Sequence, residues 1–213
     1  MSTKLIIIRH GQSLGNLNKV FLGHTNLDLS ETGYEQAEKT ANFLKNVHID
    51  AIYSSDLIRA FNTVLPIAES HNIEIVRDEA LREIYAGEWE NKSYDFLSEH
   101  FLHDYTVWKT DIGNARCSGG ESVLELQKRI LEEIKKIAEE NEGKTVCIGT
   151  HATPIRTFYA ASMSIDKDKM FEIPWATNAS ITTAVYENKK FNVSEYGYDL
   201  HLGEIKSAFS KNI

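Results

Sequence analysis

The chain has 213 residues, 42% of them hydrophobic and 25% charged, which excludes a globally disordered protein and allows a sizeable core. Its 23 Lys and Arg against 31 Asp and Glu give a formal charge of -8. Such a surface repels phosphate backbones, which argues against nucleic acid as a partner. The N-terminal apolar run is too short for a signal peptide or a membrane span, so we expect a cytoplasmic protein without a membrane partner.

Three segments have the continuously apolar pattern of strands that are buried on both faces. They are KLIIIRH near the N-terminus, DAIYSS at residues 50–55 and KTVCIGTH at residues 144–151. Two further segments near the C-terminus, SITTAVYE and KFNVSEY, predict a hairpin that turns at 188–190 and lies at one edge of the sheet.

Helices are predicted between and after these strands. The first, over residues 31–47, should be capped by Ser30 and bury a stripe of four side chains, namely Tyr34, Ala37, Ala41 and Leu44. Further helices are predicted over 57–70 and 122–140, and another begins near Pro154.

Strands that alternate with helices predict right-handed crossovers and a mainly parallel sheet with helices on both faces, a three-layer α/β/α fold. We expect a single domain over residues 1–213, because the sequence contains neither a linker nor a repeat. Residues 88–120 are the least regular, and we interpret them as an insertion with one short helix near the ligand-binding edge. Its aromatic residues are expected mostly to pack on the core, including Trp89, Tyr105 and Trp108.

Polar side chains follow the three predicted strands at their carboxyl ends, the edge where open α/β sheets bind ligands. Arg9 and His10 end the first strand, Arg59 follows the second, and His151 ends the third. Each residue alone fits a structural role, such as strand-end solvation or a buried core histidine. Together they would form a binding site for a dianion, because guanidinium groups offer a planar fork of donors to phosphate oxygens.

The sequence does not predict a metal site or a disulfide. Cys117 and Cys147 lack CxxC spacing, and Cys147 lies in the apolar run TVCIGT, where we expect it to pack as a small hydrophobe. The other histidines have no spacing typical of metal ligands. The triplet GKT at 143–145 precedes a strand and lacks the upstream glycine, so it is not a phosphate-binding loop.

The segment RHGQSLGN at residues 9–16 resembles the RHG signature of the histidine phosphatase superfamily, the group that includes cofactor-dependent phosphoglycerate mutases. Further blocks follow in the family's order over about residues 4–160. They are FLGHTNLDLSETGYEQA, IYSSDLIRAFNT, LREIYAGEWE, SGGES and IGTHATPIR. One triplet is a weak signal, but an ordered series of blocks is a specific one.

The resemblance implies phosphoryl transfer without a metal or a cofactor. His10 would attack phosphorus and become a phosphohistidine. Arg9, Arg59 and His151 would bind the phosphoryl oxygens and offset the charge that builds on them. Glu83 would protonate the leaving oxygen and then act as the base for the hydrolytic water, which requires that it start protonated.

The resemblance also implies the rest of the substrate-binding set. Asn16 and the backbone after Gly11 would complete the phosphate cradle, and Gly23 and Ala152 would contact the substrate. Three other carboxylates lie close enough in sequence to compete with Glu83 for the role of acid: Glu79, Glu88 and Glu90.

Departures from the family pattern favour a phosphatase over a mutase. Ile84 and Ala86 stand where the mutases carry Arg and Tyr, and residues 88–120 contain no Arg-Arg pair. Val20 and Leu22 stand where polar or basic side chains are common, which predicts an apolar pocket mouth.

We therefore expect a metal-independent phosphomonoesterase, a phosphoric monoester hydrolase of the histidine acid phosphatase type, acting on a small phosphorylated metabolite. The alternatives are a cofactor-dependent phosphoglycerate-type mutase and a non-catalytic module that binds a phosphorylated ligand. The second alternative is disfavoured because the complete set of expected catalytic residues is present. Whether the protein is a monomer or a homodimer is left open by the sequence.

Overall fold

The computed structural model describes residues 1–207. Its strands are β1 (Thr3–Arg9), β2 (Val20–Phe21), β3 (Ala51–Ser54), β4 (Ile75–Arg77), β5 (Lys92–Ser93), β6 (Thr145–Thr150), β7 (Ile181–Glu187) and β8 (Lys190–Tyr198). Its α-helices are α1 (Leu14–Leu17), α2 (Glu31–Leu44), α3 (Ile58–His71), α4 (Tyr94–His100), α5 (Leu102–Thr110), α6 (Val123–Glu140) and α7 (Ala152–Ser162). Short 3-10 turns span Glu79–Leu81, Gly87–Trp89, Ile112–Asn114, Lys167–Glu172 and Leu200–Ile205.

The central sheet has the strand order β4-β3-β6-β1-β7-β8. The first four of these strands are parallel to one another, β7 is antiparallel to β1, and β8 is antiparallel to β7. The three predicted buried strands are confirmed as β1, β3 and β6, and the predicted hairpin is confirmed as β7 and β8 at one edge. A separate two-stranded ribbon pairs β2 with β5.

Two apolar clusters lie on opposite faces of the sheet, because alternate side chains of a strand point to opposite sides. Leu5 and Ile7 of β1 belong to a cluster with residues of α6 and α7. Ile6 and Ile8 belong to a second cluster with residues of α2 and α3. The three-layer arrangement and the mainly parallel sheet are thereby confirmed.

Helix α2 begins after Ser30, whose hydroxyl accepts a hydrogen bond from the Gly33 N–H at 3.1 Å, so the predicted N-cap is confirmed. The predicted buried stripe is wrong at Tyr34. This side chain is exposed and donates to Asp28 Oδ2 at 2.9 Å. Polar Gln36 and Thr40 are fully buried on the helix face instead.

Residues 88–120 contain two α-helices, α4 and α5, where one short helix was predicted. Trp89, Tyr105 and Trp108 are buried in the core cluster on the α6 side, as expected. The sequence analysis also missed β4, a half-exposed strand at the outer edge of the sheet that lacks a continuous apolar run.

Two smaller expectations concern cysteines and membranes. Cys117 and Cys147 are free and buried, and burial raises the pKa of Cys147 to about 12, so Cys147 packs as a small hydrophobe. Within residues 1–207 the helices are all too short or too polar to cross a bilayer.

Candidate active site

The carboxyl ends of β1, β3 and β6 meet at one small pocket that opens to solvent. Nine residues were predicted for the site, and seven of them line this pocket: Arg9, His10, Asn16, Gly23, Arg59, Glu83 and Ala152. Gly11 and His151 do not line it. The predicted residues therefore converge in space, and their roles in a reaction stay predictions.

His10 directly follows β1, and its backbone continues the hydrogen-bonding pattern of the sheet. Its N–H donates to the Thr150 carbonyl of β6 at 2.9 Å, and the preceding Arg9 N–H donates to the Ser180 carbonyl at 3.1 Å. The His10 side chain is only 4% exposed. Because β1 is buried on both faces, it holds the imidazole at the pocket and leaves the ring little freedom of movement.

The imidazole of His10 has a defined tautomer. Its Nδ1 lies 2.7 Å from the Gly11 carbonyl oxygen, which can only accept, so Nδ1 carries the proton and Nε2 carries the free lone pair. Burial, reinforced by the nearby charges of Arg59 and Arg9, holds the pKa of His10 well below its usual 6.5. The ring is therefore neutral at neutral pH, the state that a nucleophilic nitrogen requires.

Gly11 shapes the loop that follows β1. Its backbone N–H donates to Thr63 Oγ1 at 2.9 Å, and the role of the backbone after Gly11 in the phosphate cradle stays a prediction. A β-carbon at position 11 would lie 2.6 Å from the Gly33 carbonyl oxygen, so glycine permits the close approach of this loop to α2. The contribution of Gly11 to the site is its carbonyl, which orients His10.

Arg59 lies in the first turn of α3 and is 1% exposed. Its Nη2 donates to the Gly23 carbonyl at 2.7 Å and its Nη1 to the Thr25 carbonyl at 2.9 Å. Its Nε is buried without a hydrogen-bond partner within residues 1–207. Burial lowers the pKa of Arg59 to about 10, so the group stays charged at neutral pH.

Arg9 supplies a second buried guanidinium to the pocket. Its Nη1 donates to the Ala176 carbonyl at 2.6 Å, and burial lowers its pKa to about 10. Two positive charges thus face one small pocket, and the negative charge of Glu83 acts on both.

His151 ends β6 and precedes α7, and its side chain is fully buried behind His10. The two ring centroids are 5.2 Å apart, and His151 Nε2 lies 2.9 Å from Ser55 Oγ. Its Nδ1 is buried without a partner in the described part of the chain. Burial, together with the charge of Arg59, holds the pKa of His151 well below its usual value, so this ring is also neutral at neutral pH.

Glu83 is the one carboxylate among the described residues that line the pocket. Its Oε1 accepts from the Ile84 N–H at 2.9 Å, and its Oε2 accepts from the Thr153 N–H in the first turn of α7 at 3.3 Å. The neighbouring Arg82 pairs with Asp56 instead of Glu83. The carboxylate therefore faces the pocket without a salt-bridge partner of its own in residues 1–207.

The three competing carboxylates lie elsewhere. The Glu79 side chain is 76% exposed, and Glu88 does not line the pocket. Glu90 accepts hydrogen bonds from the backbone N–H groups of His24, Thr25 and Ala86 at 2.7 to 3.1 Å. Glu90 thus fixes the loop whose carbonyl groups accept hydrogen bonds from Arg59. The sequence did not indicate this positioning role.

Arg129 of α6 holds the backbone of the segment that carries Glu83. It donates to the carbonyl groups of Ala80, Arg82 and Glu83 at 2.8, 3.0 and 3.2 Å. Its guanidinium also forms two hydrogen bonds with the Glu121 carboxylate, at 3.1 and 2.8 Å. Sequence reasoning missed Arg129, because it lies 46 positions from Glu83 on a helix that packs as an ordinary amphipathic one.

Two asparagines organise the loop after β1. Asn178 Nδ2 donates to the carbonyl groups of His10 and Gly11 at 3.1 and 3.2 Å and to Asn16 Oδ1 at 3.1 Å. Asn16 Oδ1 also accepts from the Ser13 backbone N–H at 3.1 Å. The oxygen of Asn16 is thus occupied, so its predicted role in binding the phosphoryl group would fall to its amide NH2 group. Asn178 was not predicted, since it lies in the loop before β7.

The two apolar residues on which the sequence analysis based an apolar pocket mouth both line the pocket. Val20 and Leu22 line one side of it. Tyr94, Trp108 and Trp175 also line the pocket, so the segment 88–120 contributes to its wall as well as to the core.

Comparisons with known proteins agree with this geometry. The family model of the histidine phosphatase superfamily (branch 1) matches residues 5–199. The chain belongs to the histidine phosphatase superfamily. Phosphoserine phosphatase 1 of Hydrogenobacter thermophilus is 30% identical over 201 residues, covering 94% of this chain and 95% of that protein. Phosphoglycerate mutase-like protein 4 of Arabidopsis thaliana is 27% identical, covering 94% and 87%.

Solved structures of the superfamily have the same fold. YhfR of Bacillus stearothermophilus superimposes with a TM-score of 0.90 at 29% identity, covering 94% of this chain and 99% of that one. A phosphoserine phosphatase of Entamoeba histolytica, solved with phosphoserine, superimposes with a TM-score of 0.83 at 27% identity, covering 94% and 99%. The phosphoglycerate mutase-like architecture expected from the sequence is confirmed.

Proposed function

We propose that the protein is a metal-independent phosphomonoesterase of small phosphorylated metabolites that works through a phosphohistidine on His10. The observation that carries this proposal is the hydrogen bond from His10 Nδ1 to the Gly11 carbonyl, which leaves a neutral Nε2 lone pair beside two buried guanidinium groups. The names of the relatives, which include phosphoserine phosphatases, support hydrolysis as the reaction.

In the first step, the lone pair of His10 Nε2 forms a bond to phosphorus while the bond from phosphorus to the leaving oxygen breaks. Glu83 gives its proton to that oxygen, so the product leaves as a neutral alcohol. Arg9 and Arg59 bind the phosphoryl oxygens and stabilise their charge in the transition state. Neither role requires a metal ion, so the chemistry is that of the histidine acid phosphatase type of phosphoric monoester hydrolase.

In the second step, a water molecule replaces the alcohol beside Glu83. The carboxylate takes a proton from this water while the water oxygen forms a bond to phosphorus. The bond between phosphorus and Nε2 then breaks, which restores the neutral His10 and the protonated Glu83. One phosphate leaves, and the cycle consumes one ester and one water.

The proposal is tested by phosphate release from 4-nitrophenyl phosphate in the presence of EDTA. We expect full activity with EDTA, no activity in His10→Ala, and normal activity in His103→Ala, which changes an exposed histidine. Mass spectrometry of the acid-sensitive intermediate should show one added phosphoryl group on the peptide that contains His10.

Three results would overturn parts of this proposal. Turnover that EDTA removes would contradict the metal-independent mechanism. Rapid interconversion of 2- and 3-phosphoglycerate, stimulated by the bisphosphate, would favour the mutase alternative. Phosphate binding without any turnover would favour the non-catalytic module.

A further inference from the structure

The walls of the pocket outside the phosphoryl-binding end are mostly apolar, with Thr153 as a small polar exception. Beyond Arg9, His10, Arg59 and Glu83, the larger side chains that line it are aliphatic or aromatic: Val20, Phe21, Leu22, Tyr94, Trp108 and Trp175. A substrate whose phosphoryl group lies between the two arginines must place its leaving group against these side chains.

The aromatic wall is prebuilt and has little freedom to rearrange. The rings of Trp108 and Trp175 stack with centroids 6.2 Å apart and an interplanar angle of 24°. Phe21 meets Trp108 edge to face at 5.1 Å. Such pairs add to the stability of the packed arrangement beyond their buried area. The aromatic wall is therefore fixed by its own packing before a ligand binds.

A cation that contacts the back of this wall, Arg156, is already occupied. The Arg156 guanidinium lies 4.2 Å from the centroid of the Trp175 ring. It also donates to the carbonyl groups of Met170 and Phe171 at 2.9 and 3.0 Å, and it does not line the pocket. Arg156 thus fixes Trp175 in place instead of binding a substrate anion.

Charge inside the pocket is arranged for one anionic group only. Among the described residues that line it, the permanent cations are Arg9 and Arg59, and both face the site of the phosphoryl group. The remaining ionisable wall residue, Tyr94, is a neutral hydroxyl, because burial raises its pKa to about 12. A second anionic group on the substrate would lose its hydration and would lack a cation partner among the described lining residues.

Resting on the proposed phosphatase function, we propose that the preferred substrates are phosphomonoesters with an uncharged, apolar leaving group, either aryl or arylalkyl. The site discriminates against phosphorylated carboxylic acids, such as phosphoglycerates and phosphoserine. The selectivity comes from the apolar walls and the absence of a third cation among the described lining residues. It does not depend on how good the leaving group is.

A matched pair of substrates tests this proposal. Phenyl phosphate and 4-carboxyphenyl phosphate differ only in the carboxylate, which makes the second phenol the better leaving group. A preference for phenyl phosphate must therefore come from binding in the pocket. We expect kcat/KM to favour phenyl phosphate by about 10- to 100-fold, the range typical of a buried charge left without a partner. 2-Phenylethyl phosphate should exceed 3-phosphoglycerate and phosphoserine by a similar factor.

A pair of variants at Val20, a half-buried wall residue, sharpens the test. Val20→Arg adds a cation at the mouth and should reduce the preference for phenyl over 4-carboxyphenyl phosphate by about tenfold or more. Val20→Gln is the matched control, since it has a long polar side chain without charge, and it should keep the wild-type ratio. Activity on phenyl phosphate reports in each variant that the site is folded.

The outcomes separate the two proposals. If the wild type releases phosphate from none of these esters, the phosphatase function itself fails. If it hydrolyses them but prefers 4-carboxyphenyl phosphate, 3-phosphoglycerate or phosphoserine, only the substrate class is overturned. An equal response of Val20→Arg and Val20→Gln would contradict the role of charge at this wall.

Discussion

The two sides of the pocket are built in different ways. His10 stands at the end of β1, a strand buried on both faces and hydrogen-bonded to β6 and β7 along its length. Glu83 stands in a segment without strand or helix, whose backbone is held by side chains from distant elements. Arg129 binds three of its carbonyl groups, and His24 Nε2 donates to the Glu83 carbonyl at 2.9 Å.

Because of this difference, substitutions on one side of the pocket should affect stability and substitutions on the other should affect catalysis. The β1 side is positioned by the same apolar burial that stabilises the whole protein, so its geometry is lost only when the fold is lost. The Glu83 side depends on a few directional contacts, so a single side chain can misplace the acid in a folded protein. Changes in the first region should appear mainly in the free energy of unfolding, and changes in the second mainly in turnover.

The largest effect is expected from Ile7→Ala on the β1 side. Ile7 is fully buried, and its removal should reduce the free energy of unfolding by about 2–5 kcal/mol, as for other buried large-to-small changes. The turnover of the folded fraction should stay close to that of the wild type, because the backbone ladder of β1 remains. Urea unfolding and steady-state kinetics under stable conditions measure the two quantities.

Ile7→Val is the matched control, with an expected loss of about 0.5–1.5 kcal/mol. A fully folded Ile7→Ala variant with strongly reduced turnover would contradict the comparison. It would mean that the core side chains, and not the ladder, position His10.

The β1 side is also the side that could be predicted from the sequence. Buried strands and amphipathic helices leave a periodic apolar pattern, and β1, β3, β6, α2, α3 and α6 were found from it. Strand β4 was missed because an edge strand of three partly exposed residues has no such pattern. Helix α5 was missed because its apolar residues do not form one stripe, and the side chains of Tyr105 and Trp108 are buried by neighbouring elements.

The candidate site was predictable only for residues that follow a strand or belong to a family motif. Glu83 came from the resemblance alone, since a carboxylate beside an arginine is ordinary on a surface. Arg129, Glu90 and Asn178 act through hydrogen bonds to backbone groups far away in sequence. No local pattern marks such partners, because the fold alone decides which carbonyl or N–H they meet.

Arg129→Gln tests the Glu83 side and should give the next largest effect. Loss of the guanidinium releases the backbone of residues 80–83, so Glu83 protonates the leaving oxygen less well. We expect kcat for 2-phenylethyl phosphate to fall by about 10- to 100-fold, a fraction of what a general acid contributes. The loss for 4-nitrophenyl phosphate should be much smaller, because nitrophenolate departs without protonation. The ratio of the two rates does not depend on the folded fraction.

Two further variants show whether the effect of Arg129→Gln comes from Glu83. Glu83→Gln should show the same dependence on the leaving group with a larger loss, about 10²- to 10⁴-fold for the alkyl ester. Arg116→Gln removes an exposed arginine that pairs with Glu125 at 2.6 Å, and it should leave the ratio unchanged. If Arg129→Gln lowers both rates equally, Arg129 has a structural role only.

The smallest effect concerns pH and belongs to the β1 side, where His10 and His151 are buried as neutral rings. Burial lowers the pKa of each histidine below the 6.5 of the unfolded chain, so below about pH 6.5 the unfolded state binds protons that the folded state does not. Stability is therefore retained above that pH and falls as the pH falls below it. Each histidine should cost about 1 kcal/mol between about pH 7.5 and about pH 5.5.

Urea unfolding at these two pH values measures the effect. The His151→Asn variant should lose about 1 kcal/mol of the difference in unfolding free energy between them, because it no longer carries one of the rings whose pKa burial lowers, which also include His10 and His201. His103→Asn, at an exposed position, should keep the wild-type difference. Asp56 and Glu125 do not interfere, since the folded state lowers the pKa of both carboxyl groups and their contribution is lost only at more acidic pH. An unchanged pH dependence in His151→Asn would mean that this ring takes up its proton in the folded protein, and the assignment of a neutral ring to His151 would then be wrong.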